Sequence, residues 1–203
     1  MEIGLFPLEL VLLPSERVPL HIFEDRYKEL IGECIAGETE FGLVLEDGDG
    51  LRQVGTSTAV LELVHTFDDG RMNVLVEGRG RFRIVQATDG RSFRTAEVEP
   101  FDDEEGPDAS AAAERALEVF RRLVAVAEAD EVDEPDPAGT PLSYQLAARV
   151  DFGHELKQEL LEIRSEHARL DRLTDLLERA AEALAREREV RDRASGNGKV
   201  SRH

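Results

Sequence analysis

The chain has 203 residues, of which 41% are hydrophobic and 34% are charged, a composition typical of a folded protein rather than a disordered one. Lys and Arg number 25 against 44 Asp and Glu, and the net charge of −19 argues against a partner held by its phosphate groups. A single cysteine excludes an internal disulfide. No secretory leader or apolar run of about 20 residues is visible, so we expect a cytoplasmic protein that does not enter a membrane.

Residues 1 to about 100 follow the period of two that is typical of β-strands. Met72, Val74 and Val76, for example, occupy every second position. Asp69-Gly70 and Asp89-Gly90 each lie between two such segments. An Asp-Gly pair between apolar strands favours a hairpin, because glycine accepts the positive φ of a tight turn. This half therefore predicts five to seven short strands.

One segment of this half follows helical spacing instead. The apolar residues of Glu24–Ala36 recur every three or four positions, and Gly37 stands where a helix C-cap would lie. Cys34 falls on the apolar stripe of this helix. A nucleophile paired with His21 is one interpretation of Cys34, but a small buried thiol is the commoner role. We therefore predict a helix with Cys34 on its buried face.

From about Asp108 the apolar period changes to 3.6 residues, which indicates helices. One helix is predicted through Leu117–Ala127, and short helices are predicted over Leu142–Val150 and Glu155–Ile163. A long helix is predicted to follow the N-cap Ser165. Its apolar stripe repeats at nearly heptad spacing through Leu170, Leu173, Leu177, Ala180 and Leu184.

The change of period predicts a division of the chain into a β lobe, a helical lobe and a disordered tail, over residues 1–103, 104–193 and 194–203. The acidic excess lies at the first junction, in Asp102–Glu105, and in the loop Asp130–Asp136. Both runs are typical of solvated linkers, with an acidic recognition loop as the alternative. We expect limited proteolysis to cut first near the junction Asp102–Pro107 or within Asp130–Thr140.

The chain carries no residue pattern of a catalytic or metal site. Gly78-Arg79-Gly80-Arg81 begins like a dinucleotide fingerprint, but it lacks the third glycine and leads into a strand. His154-Glu155 lacks the second histidine of a zinc-protease helix. The nucleophile elbow of the α/β-hydrolases is missing as well. We therefore predict no enzyme activity, no cofactor and no bound metal.

Arg79, Arg81 and Arg83 lie at every second position, which places three guanidinium groups on one face of a strand. Such a stripe could bind RNA or an acidic ligand. It could equally be a solvated face that pairs with nearby carboxylates. The second interpretation agrees better with the net charge of −19.

Several short motifs follow one another along the chain: Phe6-Pro7-Leu8, Leu12-Leu13-Pro14, Pro19–Tyr27, Val54-Gly55-Thr56, Asp69-Gly70, Val76–Ile84, Lys157–Glu162 and Arg169-Leu170. Together they resemble the N-terminal domain of Lon proteases over most of residues 3–184. The resemblance implies an α+β fold, with a PUA-like β pseudobarrel that carries an inserted helix and is followed by an α-helical bundle. Gly55, Gly70 and Gly78 within these motifs are expected to supply turn geometry.

In Lon this module helps to recognise substrates, whereas ATP hydrolysis and peptide cleavage belong to downstream domains. This sequence contains neither Walker motifs nor a segment for the Ser-Lys proteolytic site. The resemblance therefore implies a free-standing, non-catalytic module that binds unfolded or exposed polypeptide segments, as an adaptor or regulator of an ATP-dependent protease. The alternative is a PUA-like protein that binds RNA or a small ligand, although the net charge argues against nucleic acid.

A polypeptide-binding surface needs exposed apolar groups beside polar groups that hold an extended chain. The segment Pro19–Tyr27 meets this need, because its apolar residues run into a charged helix start with free N–H groups. We predict a substrate-binding site at His21, Phe23, Glu24, Asp25 and Arg26. The alternative is structural: Phe23 lies in the core, the carboxylates complement the helix dipole and Arg26 is held in an ion pair.

Overall fold

The computed structural model describes residues 1–128, 132, 135 and 140–197, with side chains described up to residue 191. The described residues form seven strands and five helices. The strands are β1 (Glu2–Leu8), β2 (Arg17–Ile22), β3 (Phe41–Asp47), β4 (Gly50–Leu51), β5 (Val54–Thr66), β6 (Met72–Thr88) and β7 (Thr95–Pro100). The helices are α1 (Asp25–Gly37), α2 (Ser110–Ala127), α3 (Leu142–Ala147), α4 (Gly153–Glu162) and α5 (Glu166–Asn197).

Five strands close into a barrel in the order β1–β7–β6–β5–β3, because β3 returns to pair with β1. The β1–β3 pairing is parallel, with Phe6 opposite Leu43, and the other pairings in the ring are antiparallel. Val44, Phe82 and Ala96 belong to an apolar cluster of the barrel. The barrel, the helix α1 between β2 and β3, and the helices that follow confirm the predicted α+β fold.

Both Asp-Gly hairpins form as the sequence predicts. Gly70, with φ 81°, lies between β5 and β6, and Gly90, with φ 110°, lies between β6 and β7. β5 and β6 have 13 and 17 residues and are longer than the short strands predicted. One half of each strand belongs to the barrel, and the other half forms a three-stranded sheet with β2. Register shifts along β5 allow this long hairpin to bend between its barrel half and the half that pairs with β2.

Helix α1 packs where this three-stranded sheet meets the barrel strands β1 and β3. Tyr27, Leu30, Ile31 and Cys34 form its buried face and share an apolar cluster with β6, which confirms the predicted helix and the buried thiol. The predicted C-cap is wrong by one residue, because Gly37 is still helical. The next residue, a glutamate with φ 50°, takes the left-handed conformation and donates its N–H to the carbonyl of Cys34.

The helical part packs directly on the barrel. One apolar cluster runs from Leu13 through Phe101 to Ala116 of α2 and Leu173 of α5. Ser165 caps α5 as predicted, since its Oγ accepts the N–H of Ala168 at 3.3 Å. Among the described residues, none of the helices has the length and apolar character required to span a bilayer. Most of the predicted acidic loop 130–136, and residues 198–203 of the predicted tail, lie outside the described residues.

Candidate functional site

The five predicted site residues lie where β2 leads into α1. Phe23 is 60% exposed, so it is not a core residue, whereas its neighbour Ile22 is buried. Arg26 Nη2 lies 2.7 Å from Glu24 Oε2, and both side chains are exposed. Asp25 is fully exposed in the first turn of α1. The alternative that these residues are structural therefore agrees with the ion pair of Arg26 and Glu24 and with the position of Asp25 in the first turn. It does not agree with the exposure of Phe23.

Further rings extend from Phe23 across the sheet: His21 and His65 are exposed, and Phe67 is half-buried. Strand register places His21, Asn73 and His65 side by side on one face of β2, β6 and β5. His21 Nδ1 lies 2.6 Å from Asn73 Oδ1. The His21 ring centroid lies 6.1 Å from Phe23 and 5.8 Å from Phe67, and His65 lies 4.5 Å from Phe67. We name Phe23, His21, His65 and Phe67 the aromatic cluster.

The β5–β6 turn holds Phe67 in this position. Arg71 lies over the Phe67 ring at 5.0 Å, and its Nε lies 2.7 Å from Asp69 Oδ2. The Phe67 N–H donates to the Arg71 carbonyl at 2.8 Å, which closes the turn. The ring is therefore presented by a hairpin whose geometry comes from local hydrogen bonds.

His65 and Phe67 are absent from the predicted site. They follow Phe23 by more than forty positions, and only the register of β5 on β6 brings them next to β2. One local signal was available: His65 and Phe67 lie two positions apart in a predicted strand, so they face the same side of it. The sequence did not indicate which side that was.

Exposed apolar side chains lie at two separate places: Phe23 belongs to the aromatic cluster, whereas Ile35, Leu61 and Leu63 line a groove between α1 and β5. Of the eight large apolar side chains exposed among the described residues, five belong to β5, to α1 or to the aromatic cluster: Phe23, Ile35, Leu61, Leu63 and Val64. Scattered single apolar residues need no explanation on a protein surface, whereas a concentration of them marks an interaction site.

The arginine stripe of β6 is exposed at Arg79 and Arg83 but buried at Arg81. The Arg81 side chain is 5% exposed, donates to the carbonyls of Leu161 and Ile163 at 2.8 and 2.9 Å, and pairs with Asp103. Arg79 pairs with a carboxylate of its own strand at 2.8 Å. The predicted pairing with carboxylates is present for Arg79 and Arg81, and the predicted solvation is wrong for Arg81, because the helical lobe covers it.

The described residues contain no group of three or more His, Cys, Asp or Glu side chains that could hold a metal ion. The pKa of Cys34, the residue that suggested a nucleophile, is raised by burial, although a hydrogen bond with Thr39 opposes this shift. A raised thiol pKa leaves little thiolate, which is the reactive form.

The family model that matches this chain is the substrate-binding domain of the ATP-dependent protease La (LON), over residues 2–179. A Lon protease of Paraburkholderia phytofirmans is 28% identical over 202 residues, which are 92% of this chain. A Lon protease of Solibacter usitatus is 26% identical over 204 residues, which are 91% of this chain. In both cases the chain spans only 25% of the relative's length.

Solved structures of Lon N-terminal domains have the same fold. The crystal structure of a Lon N-terminal domain protein from Xanthomonas campestris has a TM-score of 0.62 at 25% identity, and the match covers 85% of this chain and 96% of that one. The N-terminal domain of the Mycobacterium avium complex Lon protease has a TM-score of 0.68 at 19% identity, with 87% and 98% covered. The second likeness, at this low identity, concerns the fold alone.

Proposed function

Because the chain belongs to the Lon substrate-binding domain family, we propose that it binds exposed polypeptide segments at the aromatic cluster and has no catalytic activity of its own. The observation that carries this proposal is the 60% exposure of Phe23 at the end of a row of rings, in which His21 is the neighbour of Phe23, Phe67 is the neighbour of His21, and His65 is the neighbour of Phe67. Aromatic side chains offer a large contact area at a small cost in conformational entropy, so they suit a surface that must accept many sequences.

The cluster combines an apolar centre with a polar rim. Full burial of a phenylalanine side chain contributes about 1.5–3 kcal/mol, so two partly covered rings give weak and reversible binding. Arg26 and Glu24 lie at the edge beside Phe23, where they offer a donor and an acceptor to the backbone of a bound segment. Weak binding of this kind suits a module that delivers a segment to a downstream machine. We infer an adaptor or regulator role toward an ATP-dependent protease.

Fluorescence anisotropy with a labelled, permanently unfolded protein tests the cluster. We expect Phe23→Ala with Phe67→Ala to weaken binding about tenfold, because two ring contacts are lost. The control is Val85→Ala, since Val85 is a similarly exposed apolar residue outside the cluster. Binding is compared per folded molecule, because Phe67 is half-buried and its truncation also removes packing, whereas Val85→Ala should leave the melting temperature nearly constant. Unchanged binding by the double variant would overturn the proposal.

A second double variant tests the polar rim. Glu24→Ala with Arg26→Ala removes an exposed ion pair, which contributes little to stability. We expect weaker capture of the unfolded protein and almost no change in melting temperature. A melting temperature lower by several degrees, with unchanged capture per folded molecule, would make these two residues structural.

The absence of catalysis is tested with the purified protein and two substrates, ATP and casein. We expect hydrolysis of neither above background. Turnover that persists through further purification would overturn this part of the proposal. Retention on polynucleotide beads at two salt concentrations tests the RNA alternative, and we expect none because the net charge is −19.

A further inference from the structure

A groove of about 530 Å³ separates the C-terminal end of α1 from β5. Ile35 of α1 lines one side, and Leu61 and Leu63 of β5 line the other. These side chains are 37%, 38% and 46% exposed. Val60 lies between them and packs partly against the core. The groove therefore has an apolar lining that is open to solvent.

β5 borders this groove as an open sheet edge. β3 pairs with β5 only as far as Thr58, whereas β6 pairs with β5 as far as Thr66. Within the ranges that the structure describes, no strand pairs with the other side of residues 59–66. Backbone N–H and C=O groups on this side of β5 are therefore free to pair with a further strand.

Two register shifts limit what this edge can accept. The pairing with β6 skips Leu61 and Val64, which marks a β-bulge at each position. Bulges bend an edge strand and interrupt regular pairing, which protects against extended sheet formation between copies. The edge therefore suits a short added segment rather than the long strand of a second molecule.

The charge of the groove selects among short segments. The carboxylates of Glu38, Glu40 and Glu62 line it. Arg79, a cation in the same lining, is paired with Glu77 at 2.8 Å, and none of the three lining carboxylates forms an ion pair within the described part of the chain. The uncompensated charge is negative, so a segment that carries Lys or Arg is favoured electrostatically.

On the basis of the polypeptide binding proposed above, we propose that this groove binds a short extended segment in which apolar residues alternate with Lys or Arg, and that the segment adds as a strand to β5. Successive side chains of a strand face opposite sides, so period-two alternation directs the apolar residues to one face. That face contacts Ile35, Leu61 and Leu63, while the basic side chains reach the surrounding carboxylates. Backbone hydrogen bonds to β5 supply binding that is independent of sequence.

Three labelled peptides of equal length test the two features of the segment. The first alternates Leu with Lys, the second alternates Leu with Glu, and the third is the Lys peptide with alternate backbone amides methylated. We expect the Lys peptide to bind at least tenfold more tightly than the Glu peptide at low ionic strength, with a smaller difference in 0.5 M salt. We expect methylation to weaken binding about tenfold because strand addition needs the peptide N–H groups.

A charge variant locates the binding site. Glu38→Gln, Glu40→Gln and Glu62→Gln together should weaken binding of the Lys peptide about tenfold and leave binding of the unfolded protein at the aromatic cluster unchanged. The matched control changes three exposed carboxylates outside the groove: Glu9→Gln, Glu97→Gln and Glu99→Gln. This control equalises the net charge, so a specific loss in the first variant reports on the groove alone.

The outcomes separate the groove from the aromatic cluster. Equal binding of the Lys peptide by the two glutamine variants, or no effect of methylation, overturns the groove proposal and leaves the cluster standing. Unchanged binding of unfolded protein by Phe23→Ala with Phe67→Ala overturns the cluster and leaves the groove standing if the Lys peptide behaves as expected. A concentration-dependent dimer that excludes the Lys peptide would assign the β5 edge to a second copy and overturn the proposal.

Discussion

Arg169 is a fully buried cation at the joint between the barrel and the helices. Its side chain is 0% exposed, and its guanidinium donates to Asp103 Oδ1 and Oδ2 at 2.8 and 2.7 Å. It also donates to Glu166 at 2.7 Å and to Ser143 Oγ at 2.8 Å, and it lies 4.2 Å from the centre of the Tyr144 ring. Burial disfavours its charge, but the hydrogen bond with Asp103 and the nearby negative groups outweigh burial and raise the Arg169 pKa.

We predict that Arg169→Met lowers the free energy of unfolding by about 3–5 kcal/mol, because it leaves buried Ser143 and the partly buried carboxylates of Asp103 and Glu166 without their shared donor. The control is Arg172→Met in the same helix. Arg172 pairs with Glu159 at 2.6 Å near the surface, and loss of that pair should cost less than about 1 kcal/mol. Urea unfolding followed by circular dichroism measures both. An equal loss of unfolding free energy in both variants would show that the Arg169 site contributes no more to stability than a surface ion pair.

The carboxylate of Asp103 should make stability depend on pH. Burial raises the pKa of Asp103, but hydrogen bonds and charge from Arg169 and Arg81 outweigh burial and lower it below the ordinary value. A lowered pKa in the folded state stabilises the protein above the ordinary aspartate pKa of about 4, and this stabilisation is lost as the pH falls through the lower folded value.

We therefore predict that Asp103→Asn lowers the urea midpoint at pH 7 and that the difference from the unmodified protein narrows as the pH falls below about 4. Asp102→Asn changes an exposed neighbour in the same segment and serves as the control. A difference that stays constant across this pH range would show that Asp103 contributes by packing rather than by its charge.

At the scale of the strands, two glycines allow close approach of the backbone. A Cβ atom at Gly78 of β6 would overlap the carbonyl oxygen of Leu13, and one at Gly55 of β5 would lie 2.6 Å from the carbonyl oxygen of Leu43. The sequence suggested turn geometry at both positions, and this is wrong because both lie inside strands. Only Gly70 of the three glycines fills a turn, with φ 81°.

We predict that Gly78→Ala lowers the free energy of unfolding by about 1–3 kcal/mol, since the added methyl group forces the strand away from the Leu13 backbone. Gly80→Ala in the same strand is the control, because its nearest contact would be Ser57 Oγ at an ordinary 3.6 Å. Chemical denaturation measures the two variants. Similar stability of both would mean that the chain near Leu13 shifts at little cost.

Short sequence patterns predicted individual turns and helix caps, whereas contacts between residues that are distant in sequence form the barrel and the candidate site. The turn at Gly70 and the cap at Ser165 depend on a few neighbouring residues, and both were predictable. The parallel β1–β3 pairing that closes the barrel left no comparable signal in the sequence. The same holds for the candidate site, which stays a prediction: composition suggested the segment around Phe23, whereas Phe67 lies beside that segment only through the register of β5, β6 and β2.

At the scale of the whole molecule, the predicted boundary near residue 103 crosses extensive contacts. The apolar cluster of the helices includes Leu13 and Val54 of the β part. Lys157 Nζ lies 2.5 Å from Glu16 Oε1, and Gln158 Nε2 donates to the Val54 carbonyl at 3.1 Å. These contacts join the two parts over a common interface, so chain connectivity is not the only link between them.

The final prediction follows from this interface. Residues 102–108 lie in no helix or strand, and Glu104 and Glu105 are exposed. Limited digestion with a glutamate-specific protease should therefore cut first at one of these two residues or in the other predicted linker, 130–140. We expect the two pieces of a chain cut at this junction to stay together in native size-exclusion chromatography, because the shared apolar cluster and the buried charges remain in place.

The intact protein should unfold in one calorimetric transition whose van't Hoff and calorimetric enthalpies agree. Two separated transitions, or pieces that elute apart after cutting, would mean that the lobes fold independently. A first cut within Val74–Val85 would contradict the predicted boundary itself.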